Sequence, residues 1–204
     1  MTKTKIAVFV SGGGTNLQAL IDAQAAGVLH SGEIVLVLAS QPTAYALERA
    51  KKAGIKGVVC CKKELGGQEA FEAAISSALK ENGIELIILA GFMSILSEDF
   101  TKQWPERIIN IHPSLIPSFC GKGYYGLKVH EKALEYGVKV TGATVHFVNE
   151  IPDGGKIIAQ KAVEILEGDT PEVLQRRVME QAEWILLPEA AEAVSAMIAK
   201  EKEL

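Results

Sequence analysis

The segment Asn110-Ile111-His112-Pro113-Ser114 holds two side chains whose spacing suits acyl chemistry. A residue that precedes proline is pushed toward extended geometry, so His112 belongs at the end of a strand. In open α/β sheets the carboxyl ends of the strands are where ligands bind. Alternation along a strand puts Asn110 and His112 on one side, where an amide donor beside an imidazole can stabilise an oxyanion. A hydrogen-bonded structural histidine fits the same residues.

A second stretch, Ser11-Gly12-Gly13-Gly14-Thr15-Asn16, follows a short apolar run and opens a helix, so its backbone N–H groups and the helix dipole form a seat for an anion. The dinucleotide fingerprint fits poorly, because its third glycine position is Leu17 and Ser40-Gln41 stands where an acid would hold a ribose. Walker A spacing is absent too, so a monophosphate fits better than NAD. A tight turn with Thr15 or Asn16 capping the helix is the plainer reading. Asp153-Gly154-Gly155, set between two strand-like runs, reads by default as hairpin turn chemistry. His30, His130 and His146 show no metal-ligand spacing, and no metal is expected. Ala90-Gly91-Phe92-Met93 reads as core plus loop, or as the wall of an apolar pocket.

These residues need a scaffold, and the apolar runs supply one. Runs at 6–10, 34–38, 58–60, 86–89 and 108–111 read as buried parallel strands. Helical patterns at 17–26, 44–53, 68–82 and 97–103 lie between them, the first three followed by Gly27, Gly54 and Gly83 as stop signals. The expected fold is α/β, a doubly wound, mostly parallel sheet with right-handed crossovers. After Pro113 come a Gly- and aromatic-rich loop at 117–126, a helix at 127–136 and a hairpin of strands. Thr170-Pro171 then starts a long helix that runs to about Lys200, with a kink expected at Pro188.

The 204 residues include 48% hydrophobic and 23% charged, enough for a buried core in one domain. A formal net charge of −4 argues against a nucleic-acid-coating surface. Three cysteines, Cys60, Cys61 and Cys120, form no disulfide framework, and the opening apolar run reaches glycine too soon for a signal peptide. With no run of about 20 apolar residues, a cytoplasmic protein off the membrane is expected.

Taken in order, Ser11 to Ala19, Ala90 to Met93, Asn110-Ile111-His112-Pro113-Ser114-Leu115-Ile116-Pro117, Thr141 to His146 and Asp153-Gly154-Gly155 resemble the phosphoribosylglycinamide formyltransferases of purine synthesis. The resemblance covers essentially the whole chain and implies a Rossmann-like formyltransferase fold. It implies Asn110, His112 and Asp153 as catalytic trio, with 10-formyltetrahydrofolate as formyl donor and a glycinamide ribotide as acceptor. It places the ribotide on Gly14, Thr15, Asn16 and Glu183. The folate pocket is implied at Gln68, Met93, Ser94, Ile95, Leu96, Asn110, Asn149, Glu150, Ile151, Pro152 and Asp153. Some members carry a basic residue in place of Gln68 and another in place of Ser94, and this chain has one extra residue around 179–183. Cys120 is as readily a bystander of the loop at 117–126 as a participant.

On this reading residues 1–204 are a single formyltransferase domain, 1–112 the ribotide half and 113–204 the folate-side half with the terminal helix. Partners are small molecules, with the chain a monomer or homodimer. The alternatives are a methionyl-tRNA formyltransferase, a formyltetrahydrofolate hydrolase, and a nucleotide-binding Rossmann module or dehydrogenase. Length speaks against the first two and the missing fingerprint against the others.

Overall fold

Side chains of the first strand, β1 (Thr4–Val10), sort between two cores: Ile6, Val8 and Val10 enter one, Ala7 and Phe9 the other. A strand feeds two cores only when both faces of its sheet are covered, which is why this run is apolar without alternation. The computed structural model describes residues 2–203. The next strands are β2 (Gly32–Ala39), β3 (Lys56–Val59), β4 (Leu86–Leu89) and β5 (Ile108–His112), followed by β6 (Val140–Phe147) and β7 (Ile157–Glu164). They form one sheet in the order β3-β2-β1-β4-β5-β6-β7. The first five are parallel, and β6 and β7 join antiparallel.

Helices α1 (Thr15–Ala25) and α2 (Ala46–Lys52) bury Leu17, Leu20, Ala46 and Ala50 in the core of Ile6 and Val8. Following α3 (Lys62–Leu65), helices α4 (Gln68–Glu81) and α5 (Glu98–Lys102) cover the opposite face with Phe71, Ile75, Leu79 and Phe100. The doubly wound α/β fold expected from the sequence is the fold observed. Only α3 went unread, a four-residue helix with no buried side chain and therefore no apolar periodicity to detect. Because β1 has β2 on one side and β4 on the other, the loops that leave β1 and β4 diverge and open a crevice at the carboxyl edge.

The second half adds α6 (Leu127–Tyr136), α7 (Pro171–Val178) and α8 (Trp184–Glu201). Thr170 caps α7 by accepting from the Val173 N–H, with Pro171 at the first helical position, as its sequence dictates. Pro188, where a kink is expected, lies inside α8, and one turn earlier the winding widens into a π turn at Met179–Glu183. An inserted residue in a helix is accommodated by such a wider turn, which matches the extra residue at this point.

Candidate active site

Helix α1 begins at Gly14, which adopts φ 72° and makes no side-chain cap bond. Thr15 and Asn16 do not cap the helix, so the capping part of the plainer reading fails while the tight turn at Gly14 stands. A Cβ on Gly14 would lie 2.7 Å from the Ala46 Cβ, whereas Gly12 and Gly13 face open space. One side of the loop is therefore pressed on α2 and the other is free.

Behind the loop, Asn16 Nδ2 donates to Glu183 Oε2 over 2.7 Å, joining α1 to the π turn 167 residues on. Glu183 is buried, and desolvation lifts its carboxyl to about 6 although the bond from Asn16 works against the rise. The inward aim of Glu183 comes with the π turn, since a wider turn rotates the side chains that follow it.

Asn110 and His112 leave β5 on the same side, as alternation requires, and Asn110 pairs across the ladder with His146 of β6, His112 with Thr144. His112 is 4% exposed. Its Nε2 donates to the Phe119 carbonyl at 2.9 Å, and its Nδ1 lies 3.6 Å from Asp153 Oδ2. Both neighbours are acceptors and would be satisfied together by an imidazolium, yet burial outweighs them and holds the ring below its ordinary pKa, with Asp153 opposing. Burial alone would raise Asp153, but the neighbouring His146 ring, the field of His112 and the Gly121 N–H at 2.8 Å bring it below the usual carboxylate value.

Asp153 does occupy a turn of the hairpin loop, as its motif reads by default: the Gly154 N–H donates to the Ile151 carbonyl at 2.9 Å. Strands β6 and β7 are joined through residues 148–156, and Asp153 sits near the end of that loop at φ 54°. Gly155 follows because a Cβ there would come 1.7 Å from the Phe147 carbonyl oxygen. The glycine serves a close backbone approach, and the carboxylate is left pointing at two histidines.

His146, set aside in the sequence for want of metal-ligand spacing, proves central. Its ring is 1% exposed, and its Nδ1 donates to the Phe147 carbonyl at 2.8 Å. In the neutral ring this leaves Nε2 as acceptor, 3.2 Å from Asn110 Nδ2 and 3.5 Å from Asp153 Oδ1. The signal that could have found it is the Asn110–His146 register, which single-strand patterns do not carry.

A cavity of about 150 Å³ adjoins this cluster, lined by Ser94, Ile95, Leu96, Asn110, His146, and residues 149–153. Nine of the residues expected around a folate line it, but Gln68 and Met93 do not. Met93 is 54% exposed and its N–H is held by the Ser11 hydroxyl at 2.8 Å, which draws it toward the glycine loop. Gln68 reaches the Ile95 carbonyl at 3.0 Å and braces the wall from behind. A larger cavity of about 600 Å³ lies between α1 and α8, lined among others by Thr15, Arg49 and Trp184. It has none of the clustered titratable groups, which adjoin the smaller one. Among the described residues no three His, Cys, Asp or Glu side chains gather as metal ligands would.

The division expected at residue 112 is crossed by contacts on both sides of the crevice. Asn16 meets Glu183, and the cavity is lined by residues 94–96 together with 149–153, so each draws on both halves.

A crevice at the carboxyl edge of a doubly wound sheet, with a glycine loop on one side and an amide, two histidines and a carboxylate on the other, is the layout of a ligand-binding α/β enzyme. The chain belongs to the formyl transferase family, whose sequence model matches residues 4–190. It is 42% identical over 181 residues to the phosphoribosylglycinamide formyltransferase of Haemophilus influenzae, covering 87% of this chain and 81% of that protein. It is 46% identical over 194 residues to the trifunctional purine biosynthetic protein adenosine-3 of Gallus gallus, covering 95% of this chain and 19% of that protein. The chain thus spans about a fifth or less of the length of such trifunctional relatives. Glycinamide ribonucleotide transformylase 1 from Symbiobacterium toebii superposes with a TM-score of 0.89 at 40% identity, over 96% of this chain and 89% of that one.

Proposed function

We propose that this chain transfers the formyl group of 10-formyltetrahydrofolate to the amine of 5-phosphoribosylglycinamide, in the making of purines. The observation that carries this reading is the convergence of Asn110, His112 and Asp153 beside a cavity, with an anion seat across the crevice. The phosphate rests on the glycine loop at Gly14 and Thr15, while Asn16 and Glu183 accept from the ribose hydroxyls. The folate lies along residues 94–96 and 149–153, with Met93 at the rim and Gln68 supporting the wall.

The amine nitrogen attacks the formyl carbon, a C–N bond forms, and the carbonyl oxygen becomes an oxyanion. Asn110 gives one amide hydrogen to His146 and offers the other to that oxygen. His112 donates to it once its Nε2 is released by the Phe119 carbonyl, and Asp153 supports the charged ring. Collapse breaks the bond to N10 of the folate, which takes a proton relayed from the amine through Asp153 or water. Formylated ribotide and tetrahydrofolate leave. No step requires a metal, nucleic acid or membrane, and the reading is of a cytoplasmic enzyme acting as monomer or homodimer. Among the described residues no helix is long and apolar enough to cross a membrane.

The test is a spectrophotometric assay of tetrahydrofolate release with the ribotide as acceptor, with and without chelator. Release that requires the ribotide and survives chelation is expected. Release with water alone would mean a hydrolase, and formylation of a charged tRNA in place of the ribotide would mean the other transferase.

A further inference from the structure

Two carbonyls of the glycine loop are anchored on α2. The Gly12 carbonyl accepts from the Ala46 N–H at 3.1 Å, and the Gly13 carbonyl accepts from Arg49 Nε at 2.8 Å. In a trans peptide the carbonyl of one residue and the N–H of the next point in opposite directions, and the peptides of this loop are trans. Turning both carbonyls toward α2 therefore turns the Gly13 and Gly14 N–H groups away from it, on a loop where a Cβ on Gly12 or Gly13 would meet no atom within 4 Å. Backbone supplies the first anchor, but the second depends on one side chain. Arg49 is itself fixed, its second guanidinium donor held by Gln18 Oε1 of α1 at 2.9 Å and its plane lying 5.2 Å from the Tyr45 ring centre.

We propose that Arg49 is the positioning residue of the phosphate seat, orienting the Gly13–Gly14 peptide so that its N–H faces the ribotide phosphate. The inference rests on the ribotide reading above. Arg49 touches neither reacting atom, and its effect falls on phosphate affinity alone. A peptide left free to rotate presents its carbonyl to the phosphate part of the time, and a lost hydrogen bond to a charged group weakens binding by about tenfold or more.

The experiment compares wild type, Arg49→Met and Arg49→Lys in two assays: the rise in melting temperature given by inorganic phosphate, and formyl-transfer kinetics. Methionine keeps the stem packing and removes every donor, whereas lysine keeps one donor for the Gly13 carbonyl. Arg49→Met is expected to lose the phosphate-induced rise and to increase KM for the ribotide about tenfold, with kcat and KM for the folate within twofold of wild type. Arg49→Lys recovers most of both. Should Arg49→Met fail to fold, Gln18→Ala, which frees the guanidinium from α1, is read in the same assays and a rise of about threefold in ribotide KM is expected. Ribotide KM within twofold of wild type in Arg49→Met overturns the proposal, as does parallel loss of kcat, folate affinity and melting temperature. A wild type that is protected by phosphate but does not formylate the ribotide would instead overturn the reading of function, and the phosphate assay would still decide the role of Arg49.

Discussion

The two walls of the crevice are built from different materials. On the proposed reading the groups that act at the glycine loop are backbone N–H donors that cannot titrate, fixed by peptide geometry and by contact with α2. At the end of β5 they are side chains, two histidines and a carboxylate buried together, with His112 and Asp153 shifted by burial and by each other. A phosphate needs a seat of constant charge, which backbone provides at any pH. A formyl transfer moves protons, which only titratable groups can do. The difference teaches where substitutions should be felt as lost stability or affinity, and where as lost turnover.

The largest effect expected is on turnover at the titratable wall. His112→Ala should reduce kcat by about 10² or more while the ribotide KM stays within a few-fold of wild type, the scale of a lost acid or oxyanion donor. Comparable rates with a lowered melting temperature would mean that this wall is structural as well. At the backbone wall, Gly14→Val should destabilise the protein by about 3 kcal/mol, because Gly14 holds φ 72° and any Cβ strikes Ala46. Denaturant titration reads it, and a loss below about 1 kcal/mol would show that the loop can move off α2.

The comparison sharpens at His130, which lies under the titratable wall and is not exposed at all. Neither of its ring nitrogens meets a protein partner, and burial, with the nearby His112 adding to it, drives its pKa to about 4. The unfolded chain takes up this proton below about 6.5 and the folded chain only below about 4, so stability is lost as pH falls through that window, by up to about 3 kcal/mol. Glu183 runs oppositely: its folded carboxyl titrates near 6, so its contribution is present below 4.5 and lost as pH rises through 6. His130→Leu removes only the first of these. Its melting temperature relative to wild type should therefore be higher at pH 5 than at pH 8, and an equal difference at both would refute the desolvation of His130. The smallest effect is expected of Gly13→Ala, whose methyl points into open space: an unchanged melting temperature and a ribotide KM raised several-fold. An unchanged KM would mean that the phosphate sits elsewhere.

The sequence was most legible where one element suffices. The buried strands, the cap at Thr170 and the shared side of Asn110 and His112 all follow from local pattern, and each is observed. What escaped was pairwise. His146 matters only because β6 runs antiparallel to β5 and brings it opposite Asn110, and Arg49 only because α2 packs against the loop after β1. The tie between Met93 and the glycine loop was likewise invisible, since the Ser11 hydroxyl that holds its N–H is 82 residues away. Asp153 shows the limit most sharply: Asp-Gly-Gly is ordinary turn composition, and only the fold sets its carboxylate between two rings.

That residue offers the most direct test. Asparagine adopts the left-handed backbone of position 153 at least as readily as aspartate and has nearly the same volume, so Asp153→Asn keeps the loop and removes only the charge. Without Asp153 only the Phe119 carbonyl offsets the desolvation of His112, and the ring's pKa falls further below its ordinary value. The measurement is kcat across pH 5 to 9 with the melting temperature of the same samples. A melting temperature within about 2 °C of wild type is expected, with kcat lowered by about 10² or more and the limb assigned to His112 moved to lower pH. Turnover within a few-fold of wild type and an unmoved limb would return Asp153 to the loop and take the charge out of the catalytic wall.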